Sequence, residues 1–579
     1  MPKEKIDPTI MERAEKWLGP GFDQDTRNAV KEMIDDKPDE LIESFYRDLE
    51  FGTGGLRGII GVGTNRMNKY TLGMATQGLA NYLKKVYPHE KELRAAISFD
   101  CRIKSDYFAQ VTADVLSANG FKVFLFEDLR PTPELSFAIR HLKCHTGVMI
   151  TASHNPKEYN GYKAYWNDGA QMIPPHDKNV IQEVKNIRVE DVKFDGDTSR
   201  IEKIGEEIDN LYLSELEKLS VSPGSARRQA QLKLVYTPLH GTGVKMVPAI
   251  LDRYGFENVF KVYEQDVADG NFPTVVSPNP EEPAALEMAL DKARKVDADL
   301  VMATDPDGDR VGVAVKDIRE NYVLLNGNQT AAVIIYYLLT LWDKKGKLTG
   351  REYIVKTIVT TELLVDIAKK FKVDYFDVLT GFKWIADVIR KNEGKKTFIA
   401  GGEESYGYMI GDFVRDKDAV ASCAIIAEVA AWAANQRKTF FDILIDIYLE
   451  FGYYKERLVS ITKKGKAGAE EIQKMMAGFR SNPPKNINNS EVIAIKDYQE
   501  SKETDVKSGK TKKINLPKSN VLQFFTADGS KISMRPSGTE PKIKFYFGVK
   551  DELKSKDQFY ETGKKLDERI DKVIKDLGL

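Results

Sequence analysis

Ser153 stands in the run Thr151-Ala152-Ser153-His154-Asn155-Pro156, and Lys163 follows ten residues later, after Tyr159-Asn160-Gly161-Tyr162. The apolar Gly147-Val148-Met149-Ile150 before it reads as a buried strand. Asn155-Pro156 and Asn160-Gly161 are turn pairs, so Ser153 falls on a loop at a strand's carboxyl end. Open α/β sheets bind ligands at that edge, and Lys163 can fold back toward the hydroxyl. A surface turn with an idle serine answers the same stretch.

Three aspartates at alternate positions follow another strand-like run, Ala298 to Ala303, in Thr304-Asp305-Pro306-Asp307-Gly308-Asp309-Arg310. Such carboxylates can converge on one hard cation, and Gly308 lets the backbone turn around it. An EF-hand does not fit: the glycine falls fourth rather than sixth, and the twelfth position is Lys316. An aspartate nucleophile of the haloacid-dehalogenase kind is a second rival, but three aspartates beside an arginine suit a Mg²⁺ seat better.

Three further stretches carry polar chemistry. Gly401-Gly402-Glu403-Glu404-Ser405-Tyr406-Gly407-Tyr408 sets carboxylates and a hydroxyl on a glycine-flanked loop, suited to vicinal sugar hydroxyls. In Arg535-Pro536-Ser537-Gly538-Thr539-Glu540-Pro541-Lys542 a guanidinium, two hydroxyls and backbone amides can cradle a phosphate. Phe51-Gly52-Thr53-Gly54-Gly55-Leu56-Arg57-Gly58 presents amides and one arginine to an anion. Each reads equally well, alone, as a structural turn.

The elements that must hold these loops alternate. Helix-like segments at Leu72 to Val86 and Tyr107 to Ala118 precede strands at Ala95 to Phe99, ending in Asp100-Cys101-Arg102, and at Lys122 to Phe126. The rhythm returns in 231–315, with strands at Leu232 to Tyr236 and Asn258 to Val262 and helices at Val244 to Tyr254 and Ala284 to Val296. It returns again in 353–430. Such alternation predicts parallel α/β sheets, in three units without a residue-level repeat. The first fifty residues read as exposed helix. After about residue 450 strands at Val521 to Phe525 and Lys542 to Phe547, a lysine-rich loop or hairpin tip at Ser501 to Lys513, and a last helix from Lys556 to Lys575 predict a smaller α+β domain.

At 579 residues the chain exceeds one core. Lys and Arg number 86 against 87 Asp and Glu, which argues against a nucleic-acid partner. Three cysteines, Cys101, Cys144 and Cys423, match no metal spacing and imply a reducing compartment. The charged amino terminus lacks a signal peptide's apolar core. The apolar runs near 331–342 and 419–427 fall short of the roughly 18 residues of a membrane span. A cytoplasmic protein with no membrane contact is expected; monomer and homodimer both stay open.

Taken in order, the four loops at 151–163, 304–310, 401–408 and 535–542 resemble the phosphohexomutases, the family of phosphoglucomutase and phosphomannomutase, along nearly the whole chain. The resemblance implies a four-domain, heart-shaped α/β architecture around a central cleft, with three similar mixed α/β domains (1–215, 216–325, 326–455) and a smaller C-terminal α+β domain (456–579). It implies that Ser153 carries a phosphoryl group and that Asp305, Asp307 and Asp309, with a phosphoserine oxygen, hold Mg²⁺. Lys163, Arg57, His154 and Arg310 become catalytic candidates. Glu403 and Ser405 would hold sugar hydroxyls, with Lys383, Arg415 and Lys417 orienting substrate. Arg535, Ser537, Gly538, Thr539 and Lys542 would hold the distal phosphate. The sugar loop and the chain's length lean toward glucose: glucose 1-phosphate and glucose 6-phosphate exchange through glucose 1,6-bisphosphate. Pentose or mannose phosphates are the alternative substrates, and a non-catalytic binding relative the remote one.

Overall fold

A computed structural model describes residues 6–52, 55–463, 465–537 and 542–579. Three helices open the chain, Pro8–Lys16, Gln24–Asp36 and Pro38–Phe45. Asp7 and Asp23 start the first two by accepting the backbone N–H of Thr9 and Thr26. The apolar stripe of this extension buries Trp17, Phe22 and Phe45 against Tyr70 of the first α/β unit.

The three α/β units share one strand order. In the first, Lys122–Phe126, Arg94–Phe99, Thr146–Ile150 and Tyr159–Trp166 lie side by side. In the second the same stations are Val259–Lys261, Leu234–Thr237, Leu300–Thr304 and Val311–Lys316. In the third they are Asp374–Val378, Glu352–Thr357, Thr397–Gly402 and Tyr408–Ile410. The first three strands of each set run parallel and the fourth is antiparallel. Edge strands Leu56–Ile59 and Ile201–Ile204 widen the first sheet, and Tyr322–Leu325 the second. Helices follow the first and second stations of each set, which is why Thr146–Ile150 and Leu300–Thr304, covered on both faces, are buried throughout.

The helix and strand alternation predicts the parallel strands, and the antiparallel fourth strand, which it did not show, makes each of these domains mixed as the resemblance implies. The connections at 151–158, 305–310 and 403–407 hold 8, 6 and 5 residues, whereas a parallel crossover needs about a dozen. A short loop can return only beside its own strand and in the opposite direction. Each chemistry-bearing loop of the first three units is therefore the turn of such a pair.

The last unit is antiparallel, ordered Tyr453–Thr462, Lys542–Asp551, Lys531–Pro536, Leu522–Thr526, Ser490–Asp497, Lys502–Asp505, Thr511–Lys513. The helices Gly465–Ser481 and Phe559–Asp576 pack on Lys542–Asp551. The lysine-rich stretch is a hairpin at the sheet's edge, where exposed lysines discourage pairing with another chain. The apolar runs near 331–342 and 419–427 are core helices, Gly327–Lys344 and Ala419–Ala434. Among the described residues no helix is long and apolar enough to cross a membrane. Two expected domain limits cut elements: 215/216 falls inside the helix Glu206–Glu217 and 455/456 inside the strand Tyr453–Thr462.

Candidate active site

Ser153 ends the turn after Thr146–Ile150 in a left-handed conformation, φ 54°. Its N–H donates to Thr151 Oγ1 at 2.8 Å, and its own Oγ donates to Asp305 Oδ2 of the second unit at 2.8 Å. His154 Nδ1 lies 3.2 Å from the same hydroxyl. Burial, then Arg310 and Arg57, push the His154 pKa well below the usual value, so its imidazole is neutral. Arg57, on the edge strand Leu56–Ile59, donates to Asn155 Oδ1 at 3.4 Å.

Lys163 does not reach back to the hydroxyl as expected. It points from Tyr159–Trp166 into the aspartate loop, with Nζ 2.6 Å from Asp307 Oδ2 and 3.3 Å from Asp309 Oδ2. The three buried aspartates each offer an oxygen within 4.8 Å of the other two. Asp305 Oδ1 accepts the N–H groups of Asp309 (3.0 Å) and Arg310 (2.9 Å). Gly308, φ 65°, allows that turn, and a Cβ there would stand 2.8 Å from Pro131 Cβ. Asp307 Oδ1 and Asp309 Oδ1 are buried without a hydrogen-bond partner among the described residues. Converging anionic oxygens with unused lone pairs fit a hard cation. Burial, then Asp307 and Asp309, raise the Asp305 pKa well above the carboxylate range. Burial also pushes Asp307 upward, but Lys163 more than offsets it and holds that carboxyl low.

A cavity of about 710 Å³ opens beside this cluster and joins all four units. The first and second units line it with Arg57, His154 and Arg310, the third with Glu403, Ser405 and Lys417, and the last with Arg535. Glu403 Oε1 accepts the Gly381 N–H at 2.9 Å, and Tyr406, at φ 65°, completes the turn. Lys417 Nζ bridges Asp309 (3.1 Å) and Asp416 (3.0 Å). In the last unit the Ser537 N–H donates to the Lys542 carbonyl at 2.7 Å, though neither Ser537 nor Lys542 lines the cavity. Gly538 and Thr539 lie outside the described residues.

Two expected substrate contacts stand elsewhere. The Arg415 guanidinium is fully buried, donating to the Asp412 and Val414 carbonyls and pairing with Glu393 at 3.1 Å. Lys383 Nζ sits 3.7 Å from Asp177 of the first unit, in a small hollow beside Trp166 and His176. Both cations are engaged by groups that the motif's residue types do not reveal.

Other residues were missed. Glu281 pairs with Arg310 at 2.5 Å. Thr132, starting the helix Thr132–His141, donates its N–H to the Asp307 carbonyl (2.9 Å) and its Oγ1 to Asp307 Oδ2 (3.2 Å). Lys544 lines the cavity opposite Arg535 on the neighbouring strand. Its alternation with Lys542 along a strand was the readable signal; Glu281 and Thr132 gave none, being remote in sequence from what they hold.

The chain was compared with known proteins. Family models of phosphoglucomutase/phosphomannomutase match in order: α/β/α domain I at residues 48–191, domain II at 210–319, domain III at 326–451 and the C-terminal domain at 486–560. A phosphoglucomutase of Staphylococcus haemolyticus is 37% identical over 531 residues, 89% of this chain and 95% of that one. One of Staphylococcus aureus is 38% identical over 527 residues, 90% and 93%. Among solved structures, the open form of parafusin, a phosphoglucomutase from Paramecium, superposes with a TM-score of 0.67 at 18% identity, covering 92% of this chain and 95% of its own. A phosphoglucomutase/phosphomannomutase family protein of Burkholderia thailandensis gives 0.65 at 16%, covering 93% and 98%. With four family domains in sequence and such relatives along most of both chains, this chain belongs to the phosphoglucomutase/phosphomannomutase family.

Proposed function

We propose that the protein interconverts glucose 1-phosphate and glucose 6-phosphate, with Ser153 as the carrier of the phosphoryl group and glucose 1,6-bisphosphate as the intermediate. The observation that carries this reading is the Ser153 hydroxyl bonded to Asp305 (2.8 Å) directly beside His154, which lines a cavity that Arg535 of the last unit also lines. The phosphoryl group on Ser153 passes to the sugar's free hydroxyl: the Ser153 Oγ–P bond breaks, a sugar O–P bond forms, and the hydroxyl's proton ends on Ser153 Oγ. The bisphosphate turns round and its other phosphate returns to Ser153. Asp305, Asp307 and Asp309 would hold Mg²⁺, which when bound offsets charge on the transferring group. Lys163, kept as an ammonium by Asp307 and Asp309 against the opposing effect of burial, balances charge beside it. Arg57 and Arg310 do the same from the cavity wall. Neutral His154 supports the serine by hydrogen bonding. Glu403 and Ser405 accept or donate to the sugar hydroxyls that exchange places, and Arg535, with Ser537, Gly538, Thr539 and Lys542, receives the phosphate that is not reacting.

Glucose is favoured because the Staphylococcus relatives carry the name phosphoglucomutase. Unpaired Cys101, Cys144 and Cys423 support action in the cytoplasm. For the domain limits we favour the element ends near Gly205, Asn326 and Gly452. The test is turnover of glucose 1-phosphate with Mg²⁺ and a trace of glucose 1,6-bisphosphate, read as glucose 6-phosphate. Mannose 1-phosphate and ribose 1-phosphate are run beside it. Glucose should dominate and Ser153→Ala should abolish the rate. A faster mannose or ribose rate would change the substrate, and no turnover at all would overturn the reading.

A further inference from the structure

The turn Asp100-Cys101-Arg102 closes the strand Arg94–Phe99, next to Thr146–Ile150, and its arginine is not one of the residues that line the cavity. The Arg102 side chain is 0% exposed. Its Nη2 donates to the carbonyls of Ser153 (2.6 Å) and Asn155, and its Nη1 to those of Pro156 and Tyr159, both at 2.9 Å. Three of the acceptors belong to the loop that carries Ser153, and the fourth, Tyr159, opens the strand that follows it. The backbone there curls so that its carbonyls face inward on one point, an arrangement in which they repel one another unless a cation fills it. A guanidinium, planar and with donors spread around its rim, can serve four acceptors at once.

The guanidinium has Asp100 and Phe272 against it, and the turn that carries it is braced by its neighbours. Asp100 Oδ1 accepts the Arg102 N–H (3.0 Å) and the Ser105 hydroxyl (2.7 Å), and Asp100 Oδ2 lies 3.4 Å from Nε. Asn160, just beyond the loop, donates to Ser105 Oγ (3.0 Å) and to the Ile103 carbonyl (3.1 Å). From the second unit, Phe272 lies against the guanidinium with its ring centre 5.1 Å away. A Cβ on Gly270 would fall 2.5 Å from the Ile103 nitrogen, so that segment lies directly on the turn.

We propose that Arg102 is a positioning residue for phosphoryl transfer: its guanidinium holds the 153–159 loop, and with it the left-handed Ser153, in the geometry that aims Oγ at the aspartates of the second unit. This rests on the role proposed for Ser153. Arg102 meets the loop only through backbone carbonyls, so its loss disturbs aim rather than sugar binding.

The test compares Arg102→Lys and Arg102→Ala with the parent protein, all checked for folding by circular dichroism. Hydrogen exchange should rise in the amides of 153–160 in both variants while the other strands of the first sheet keep their protection. The turnover rate kcat should fall by roughly 100-fold, the scale of a mispositioned reactant, with KM for glucose 1-phosphate nearly unchanged. Added guanidinium ion should restore part of the Arg102→Ala rate, and ammonium ion should not. Unchanged exchange at 153–160 would overturn the proposal, as would a fall in rate carried by KM or one that guanidinium leaves untouched. If the parent turns over no sugar phosphate, the role of Ser153 fails, and the exchange measurement alone then decides whether Arg102 holds the loop.

Discussion

A left-handed backbone at Ser153, φ 54°, costs an L-residue about 1 kcal/mol, and the neighbours of the loop must hold it there. Glycine adopts this conformation freely. Ser153→Gly should therefore melt higher than Ser153→Ala, by an amount corresponding to about 1 kcal/mol, with both inactive; differential scanning calorimetry reads the difference. At the aspartate loop, two carboxylate oxygens lack a hydrogen-bond partner among the described residues, and Lys163 neutralises only part of the charge. Asp307→Asn should weaken Mg²⁺ binding, followed by isothermal calorimetry, by more than the roughly tenfold that disturbing an outer partner of a metal costs. Ser153 and the three aspartates were legible because their types are uncommon together directly after buried strands. Arg415 and Lys383 misled because a cation's identity says nothing of which anion reaches it first, here Glu393 and Asp177. Glu281 and Thr132 were invisible because they meet the site through other segments.

Among the elements, the repeated strand order puts the serine, aspartate and sugar loops at one topological station, the turn between a buried parallel strand and its antiparallel partner. Each turn has a residue with positive φ: Ser153, Gly308 and Tyr406. Hydrophobic periodicity placed most of the strands it named to within two residues, and Lys122–Phe126 at both ends. It could not show direction, which depends on loop length and pairing, and so the fourth strand was missed. Asp418 shows an element's share in stability. It is fully buried, caps the helix Ala419–Ala434 through the Ala421 N–H (2.7 Å) and accepts the Tyr212 hydroxyl. Burial pushes its pKa from 3.8 up to about 7. The folded protein thus keeps a proton that the unfolded chain releases. The stability this supplies is complete below about 3.8 and is lost as pH rises through about 7. Asp418→Asn keeps a capping side chain and should flatten that decline in melting temperature across the interval.

At the scale of the molecule, the last sheet is seated on the third by buried polar contacts. Gln523 donates to the Ile358 carbonyl (2.7 Å), and Lys531 reaches the Thr360 carbonyl (3.1 Å) and Glu362 (2.6 Å). It meets the second unit through Tyr560, whose hydroxyl donates to Asp317 under the Arg319 guanidinium. These seats hold the last unit's cations to a cavity that the first and second units also line, and the two sets of cations differ in electrical character. Near Ser153 the cations are already matched: Lys163 with Asp307, Lys417 with Asp309 and Asp416, Arg310 with Glu281. In the last unit Lys544 has its pKa lowered by burial and then by Arg535 and Lys542, the mark of positive charges crowding one another. On the proposed function, a phosphate dianion diffusing in from bulk water would be drawn to the crowded cations before the matched ones. The anchoring phosphate would then be captured first, and the sugar would swing its free hydroxyl toward Ser153 afterwards. Rising ionic strength should lower kcat/KM for glucose 1-phosphate, and Arg535→Gln should make that dependence shallower, in stopped assays at constant pH. Long-range capture and bond-making would then belong to different walls of one chamber, so that the rate of arrival could be altered without touching the chemistry.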